Sequence, residues 1–286
     1  MAATQLRGAP VAQRINEQLS REIAELQARG VRPCLVSVQV GEDDASRIYR
    51  TQQEKKAGAL GIQYRRLDLP TGITEQVLEE EVRALNADPQ VHGIILQTPL
   101  PAGLRLEAMQ QMIAPAKDVD GVTPANLGAV MTGGAGLYPS TALSAFELIL
   151  ASGVPLKGKE AVVIGRSAIV GKPVFMLLVN QRATTTMCHT GTQAAGLLEA
   201  HVRRAEILVV AAGQPALVPG EWVREGAVVI DVGINYREGT IVGDVQYDAA
   251  AERAAFITPV PGGVGPLTVT MLLRNTVQAA RPLREF

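Results

Sequence analysis

Large aromatic side chains are scarce in this chain of 286 residues: Trp, Tyr and Phe together make up 3%, which leaves no platform on which nucleobases could stack. The two charge signs nearly cancel, with a formal net charge of −1, so no basic field exists to hold nucleic acid or an anionic membrane surface. Only two cysteines occur, Cys34 and Cys188, in separate apolar runs without CxxC spacing or a nearby histidine cluster. They read as buried thiols of a reducing compartment, and no metal site is apparent. No apolar run approaches the ~18 residues of a membrane span. The opening stretch MAATQLRGAP lacks the apolar segment of a secretory signal, so a cytoplasmic location is expected.

What is present is the make-up of a globular α/β protein, 47% hydrophobic and 19% charged, long enough for about two domains. Val11, Ile15, Leu19, Ile23 and Leu26 recur at steps of three and four, one helical stripe over 10–29 stopped by Gly30. A strand is expected at 34–40, a helix at 43–60 stopped by Gly61, a strand at 64–69, a helix at 74–86 capped by Thr74, and a strand at 93–98 closed by Pro99. Four further short apolar runs follow, at 161–165, 183–188, 206–212 and 227–233. Runs of this kind suit parallel strands buried on both faces. The domain boundary falls between about 135 and 158, where glycine-rich segments flank a helix, and 267–282 predicts a final helix.

AVVIGRSAIVGKPV (161–174) reads as strand, turn and helix, with Gly165 ending the strand and Gly171 allowing close backbone approach. Such a turn offers a helix N-terminus to phosphate, although its Gly-x5-Gly spacing is also that of a plain tight turn. Arg166 and Ser167 beside it, and Thr190 after the next strand where an NAD site usually places an acid, favour NADP over NAD. His189 is given no catalytic role. PVPGGVGPLTV (259–269) is too rich in proline and glycine for a regular element. It is either the wall of a ligand site or a rigid linker.

PGGVGPLTV, VVIGRSAIVGKP, KDVDG (117–121), VGEDDASRIY (40–49), GIILQTPLP (93–101), VIDVGIN (228–234) and IVGDV (241–245) together resemble the bifunctional methylenetetrahydrofolate dehydrogenase/cyclohydrolase family, over nearly the whole chain and in order. The resemblance implies two α/β domains with the active-site cleft between them. A folate domain would comprise 1–138 plus a C-terminal helix 267–286, and a Rossmann-like NADP-binding domain 139–266. It implies a small folate-type substrate and a homodimer. Asp120 matches the aspartate on the pterin's amino edge, Tyr49 the tyrosine packed on the substrate ring, and Gln97 the glutamine beside the catalytic lysine. Pro261, Gly262, Gly263, Val264 and Gly265 match the loop lining the substrate, and Ile234 a backbone contact to the cofactor. Without the family, Asp118 and Asp120 could cap the following helix, Gln97 could satisfy strand-end backbone groups, and Tyr49 could be core.

Three positions depart from the family. Its catalytic lysine, four residues after the tyrosine, is Gln53 here; Lys55 and Lys56 follow, and Lys56 returns to the face of Tyr49. Its Gln-Leu-Pro is Gln97-Thr98-Pro99, with Thr98 where an apolar wall touches substrate, and its Pro-Cys-Thr-Pro-x-Gly becomes Pro139 to Ser144. Hydride removal needs alignment but no base, whereas hydrolysis of the product needs proton transfer. The expected activity is therefore NADP-dependent oxidation of 5,10-methylenetetrahydrofolate, with Tyr49, Gln53, Gln97 and Asp120 as the active set and cyclohydrolase activity weak or absent. The alternatives are oxidation or reduction of another cyclic aminal or imine, and a non-catalytic folate/NADP-binding paralogue.

Overall fold

The computed structural model describes residues 2–237 and 239–281. The chain forms two compact units: residues up to Gln13 with Thr141–Thr268, and Arg14–Ser140 with the chain from Val269 onward. The expected folate domain began at residue 1. The first thirteen residues instead belong to the other unit, because β1 (Thr4–Gln5) pairs in parallel with β11 (Phe256–Ile257). Positions 282–286 of the expected C-terminal segment lie outside the described residues.

The unit begun at Arg14 takes in the greater part of α1 (Gly8–Ala28), followed by β2 (Cys34–Val40), α2 (Asp44–Leu60), β3 (Gln63–Leu69), α3 (Glu75–Ala87), β4 (Gly93–Leu96), α4 (Leu106–Gln111) and α5 (Pro124–Thr132). The sheet is parallel, in the order β3-β2-β4. Every residue of the central strand β2 is buried, and its two faces differ. Cys34, Val36, Val38 and Val40 pack against Leu78, Val82 and Leu85 of α3 and against Met109. The alternate positions Ser37 and Gln39 are polar and bond to α2. Asp43 caps α2 by accepting from the Ser46 N–H, Thr74 caps α3, and left-handed Gly61 ends α2.

The other unit carries α6 (Ser140–Ala151), β5 (Glu160–Ile164), α7 (Gly171–Asn180), β6 (Thr184–Cys188), α8 (Thr190–Ala194), α9 (Leu198–Arg204), β7 (Ile207–Val210), β8 (Val228–Asp231), the hairpin β9 (Asn235–Arg237) and β10 (Thr240–Val242), α10 (Tyr247–Arg253) and β11. α11 (Gly265–Ala279), which from Val269 belongs to the unit begun at Arg14, forms where a helix over 267–282 was expected; Pro282 lies outside the described residues. The main sheet is parallel with order β1-β11-β8-β7-β5-β6. Four of these strands were expected. β1 and β11 have two residues each, too short to leave a pattern. The order reverses at β5, with β6 on one side and β7 on the other, and that reversal opens a crevice at the strands' carboxyl ends. Val162, Ile164, Leu208, Val210 and Val229 pack on Leu198, Val202 and Ala250. Both cysteines are buried and free. Among the described residues no helix is long and apolar enough to cross a membrane.

Candidate active site

The buried face of α2 is polar. Ser46, Arg50 and Gln53 follow one another at helical spacing and all are buried, with Tyr49 half-buried beside them. The Ser46 hydroxyl donates to the Thr98 carbonyl at 2.7 Å, tying the start of α2 to the segment after β4. Gln53 is fully shielded from solvent. Its Oε1 accepts from the Tyr64 hydroxyl (2.8 Å) and from Gln97 Nε2 (3.2 Å), and Gln97 Nε2 also donates to Ser37 Oγ (3.0 Å). Gln97 therefore spends its side-chain amide on these side chains, not on strand-end backbone. Gln53 Nε2 is buried and has no hydrogen-bond partner among the described residues. An unsatisfied buried donor costs about 1–3 kcal/mol, which a ligand's acceptor atom would relieve.

Neither neighbouring lysine stands at the helical position of Gln53. Lys55 is exposed. Lys56 is half-buried, and burial holds its ammonium below the usual lysine range. Three residues beyond Gln53, it lies about 4.5 Å further along the helix axis, away from the strand ends.

Asp118 and Asp120 divide two roles. Asp118 Oδ1 accepts from the Gly121 and Val122 N–H groups, and Oδ2 from the Thr123 N–H and Asn126 Nδ2. Asp118 is thus the residue that shapes the turn into α5. A parallel bridge between Ile94 and Asp118 runs this segment beside β4 and carries Asp120 toward the strand end where Gln97 stands. Burial and the Asp118 carboxylate push Asp120 up to about 6, while a hydrogen bond from Ser140 pulls it down. The Ser140 hydroxyl is also 3.3 Å from the Val119 carbonyl, which accepts from Asn275 Nδ2 at 2.8 Å. Gly121 has φ 71°, and a Cβ there would lie 2.4 Å from the Tyr138 carbonyl carbon. The turn therefore requires glycine.

In the other unit, a cavity of about 250 Å³ lies at the carboxyl ends of β5, β6 and β7. Gly165, Arg166, Ser167 and Thr190 line it, as expected, together with His189, Gln193, Ala211, Ala212 and Gln214. Gly165 has φ 126°, and a Cβ on it would meet the Ala211 carbonyl oxygen at 2.2 Å. A Cβ on Gly171 would meet the Gly165 carbonyl oxygen at 2.1 Å. The Gly-x5-Gly turn is therefore a close backbone crossing that admits no side chain at either end. Ser167 Oγ accepts from the Val170 and Gly171 N–H groups, both at 3.2 Å. These helix-start donors, expected to face phosphate, are taken; the Ser167 proton and the exposed Arg166 guanidinium remain available. His189 caps α8, its Nδ1 accepting from the Gly191 N–H.

Sequence reasoning missed two carboxylates behind this cavity. Asp244 accepts from the Ala212, Gly213 and Gln214 N–H groups and from Asn235 Nδ2. Asp231 accepts from the Gly233, Asp244 and Val245 N–H groups. Burial pushes Asp231 up to about 6 against those three donors. The signal was an acid at the end of an apolar strand and another in IVGDV. Ile234 follows this knot, is 60% exposed, and does not line the cavity. In the loop after β11, Gly262 has φ 110° and its carbonyl accepts from the Gly8 N–H. Val264 is buried and Gly265 already opens α11, so the loop is a packed structure ending one residue earlier than expected.

A glycine crossing at the switch point of a parallel sheet, with an arginine at its mouth, defines a dinucleotide-binding unit of the dehydrogenase kind. The comparisons agree: residues 139–284 match the NAD(P)-binding domain, and residues 6–120 the catalytic domain, of tetrahydrofolate dehydrogenase/cyclohydrolase. The chain belongs to the tetrahydrofolate dehydrogenase/cyclohydrolase family. It is 48% identical to the bifunctional protein FolD of Brevibacillus brevis, over 98% of both chains. It is 44% identical to bifunctional protein FolD 2 of Geobacter sulfurreducens, over 98% of this chain and 97% of that one. The bifunctional FolD dehydrogenase/cyclohydrolase structure from Campylobacter jejuni superposes with a TM-score of 0.93 at 40% identity, covering 98% and 99% of the two chains. The Trypanosoma brucei enzyme, solved with NADP and an inhibitor, gives 0.90 at 41% over 98% of each.

Proposed function

We propose that this protein oxidises 5,10-methylenetetrahydrofolate to 5,10-methenyltetrahydrofolate with NADP, and that hydrolysis of the methenyl product is weak or absent. The carrying observation is Gln53: at the family's lysine position stands a buried neutral amide whose oxygen is committed to Tyr64 and Gln97. An amide hydrogen-bonds but does not exchange a proton near neutral pH, so the proton transfers of hydrolysis lose their carrier. The relatives named above are called bifunctional; the loss is proposed for this chain because of this residue.

The same change suits the oxidation. The methenyl product is a cation, and an ammonium ~4 Å away would oppose it by roughly 4 kcal/mol at an effective dielectric constant of about 20. Gln53 removes that opposition. Asp120, when ionised, accepts hydrogen bonds from the pterin's amino edge, Tyr49 packs on the substrate ring, and Gln97 holds Gln53. Pro261 to Gly265 form the substrate loop and Ile234 a backbone contact to the cofactor. The glycine crossing and Arg166 fit NADP, which supplies the hydride acceptor when bound. Arg166, Thr190 and the Ser167 hydroxyl would hold its phosphates. An anaerobic assay with 5,10-methylenetetrahydrofolate and NADP⁺ tests the activity, and absence of NADPH from folded, NADP⁺-binding protein would refute it.

Two results follow. Arg166→Ala should lower kcat/KM for NADP⁺ by about 10–100-fold, the scale of a charge-assisted phosphate contact, and change kcat/KM for NAD⁺ by less than about threefold. Equal losses with both cofactors would remove Arg166 from the 2′-phosphate. The pH profile reads Asp120. Its raised pKa means that the binding form is lost as pH falls through about 6. kcat/KM for the folate should climb to about that pH and then level. Ser140→Ala removes a bond that favours the ionised form, so its inflection should move upward. An unmoved inflection would dissociate Asp120 from the profile.

A further inference from the structure

We infer that Tyr64 is a positioning residue acting through Gln53, part of a directional hydrogen-bond relay that turns the Gln53 amide so that its N–H groups are reserved for a substrate acceptor. The relay starts at Arg50, a buried guanidinium on α2 that can only donate. Its Nε donates to Ser37 Oγ at 3.1 Å and its Nη1 to Gln39 Oε1 at 2.7 Å, and it pairs with the Asp68 carboxylate. Ser37 Oγ accepts a second bond from Gln97 Nε2. With both acceptor sites filled by donors, the Ser37 hydroxyl is left to donate, and Ser37 and Arg50 both act on the Tyr64 phenol as hydrogen-bonding neighbours that favour negative charge on its oxygen. The phenol oxygen is thereby an acceptor on that side, and its one proton goes to Gln53 Oε1 at 2.8 Å. Gln97 supplies the second donor to the same oxygen.

The polarity of this chain is fixed at its arginine end, so it also fixes which end of the Gln53 amide is oxygen. Reversing the amide would set its N–H groups against the Tyr64 proton and the Gln97 N–H groups. The orphan Nε2 is the outcome: a buried two-proton donor, one helical turn from Tyr49, with no hydrogen-bond partner among the described residues. A lone pair on the substrate, from a carbonyl oxygen or a ring nitrogen, is the chemistry that completes it.

The kinetic consequence rests on the dehydrogenase reading; the amide geometry does not. In the full-length ¹⁵N-labelled protein, Gln53→Met identifies the Gln53 side-chain NH₂ resonances by their loss. Tyr64→Phe, which keeps the ring, should shift that NH₂ pair and the Gln97 pair. Unmoved resonances would overturn the relay, whether or not the protein oxidises the folate. In turnover, Tyr64→Phe should raise KM for the folate about tenfold, the scale of one lost hydrogen bond. It should leave KM for NADP⁺ unchanged and kcat within about threefold. In a Gln53→Met background it should add nothing, because it acts only through that amide. Equal effects in both backgrounds would show a merely structural role. Should Tyr64→Phe fail to fold, Ser37→Ala breaks the relay one link earlier and should give the same pattern with a smaller rise; no dependence on Gln53 there would equally overturn it.

Discussion

Gln53→Lys should raise methenyltetrahydrofolate hydrolysis by about 10²–10⁴-fold, the usual worth of a positioned proton carrier. The position is prepared for it. A lysine there would be buried, and burial lowers an ammonium pKa toward the range in which it can give and take a proton. Arg50, one turn earlier on α2, is already paired with Asp68. Decay of the methenyl chromophore above the buffer rate measures the gain. Hydride transfer should not improve with it, because the new charge opposes the methenyl cation. A variant that hydrolyses no faster than its parent would mean that residue 53 is not what limits the second reaction.

Asp120→Ala should lower kcat/KM for the folate by about 10²–10⁴-fold, since two hydrogen bonds to a charged acceptor are worth roughly 1.5–3 kcal/mol each. NADP⁺ affinity should stay within about twofold, because the glycine crossing and Arg166 belong to the other unit. Steady-state kinetics and an NADP⁺ titration separate the two. A fall of less than threefold, or a parallel loss of NADP⁺ binding, would contradict the assignment. Asp118→Ala differs in kind: it strips four donors of their acceptor and attacks the turn itself.

The sequence carries the fold well where elements are long. α1, α2, α3 and the buried parallel strands are each signalled by period, cap or apolar run, and appear within a few residues of expectation. Two-residue strands and the N-terminal segment's allegiance to the dinucleotide unit are not legible, since both arise from long-range pairing that local pattern does not encode. At the site, the residue types were visible but their partners were not. Gln53 and Gln97 could be singled out from the family pattern. Ser37, Arg50 and Tyr64 could not, because a polar residue on a strand acquires meaning only from the helix packed over it. One signal was there: Ser37 and Gln39 interrupt an otherwise apolar central strand, and buried polar groups seek partners. Likewise Asp231, at the end of β8, and Asp244, just after β10, read as ordinary acids until the backbone N–H groups that each accepts from were seen.

The central claim is that oxidation proceeds and hydrolysis does not. Its most direct test follows NADPH and the methenyl chromophore together, under anaerobic conditions, from 5,10-methylenetetrahydrofolate and NADP⁺. One methenyl product accumulating per NADPH formed, then decaying only at the buffer rate, is the predicted result. NADPH formed while the methenyl signal stays low, or decays well above the buffer rate, would show a working cyclohydrolase and contradict the role given to Gln53.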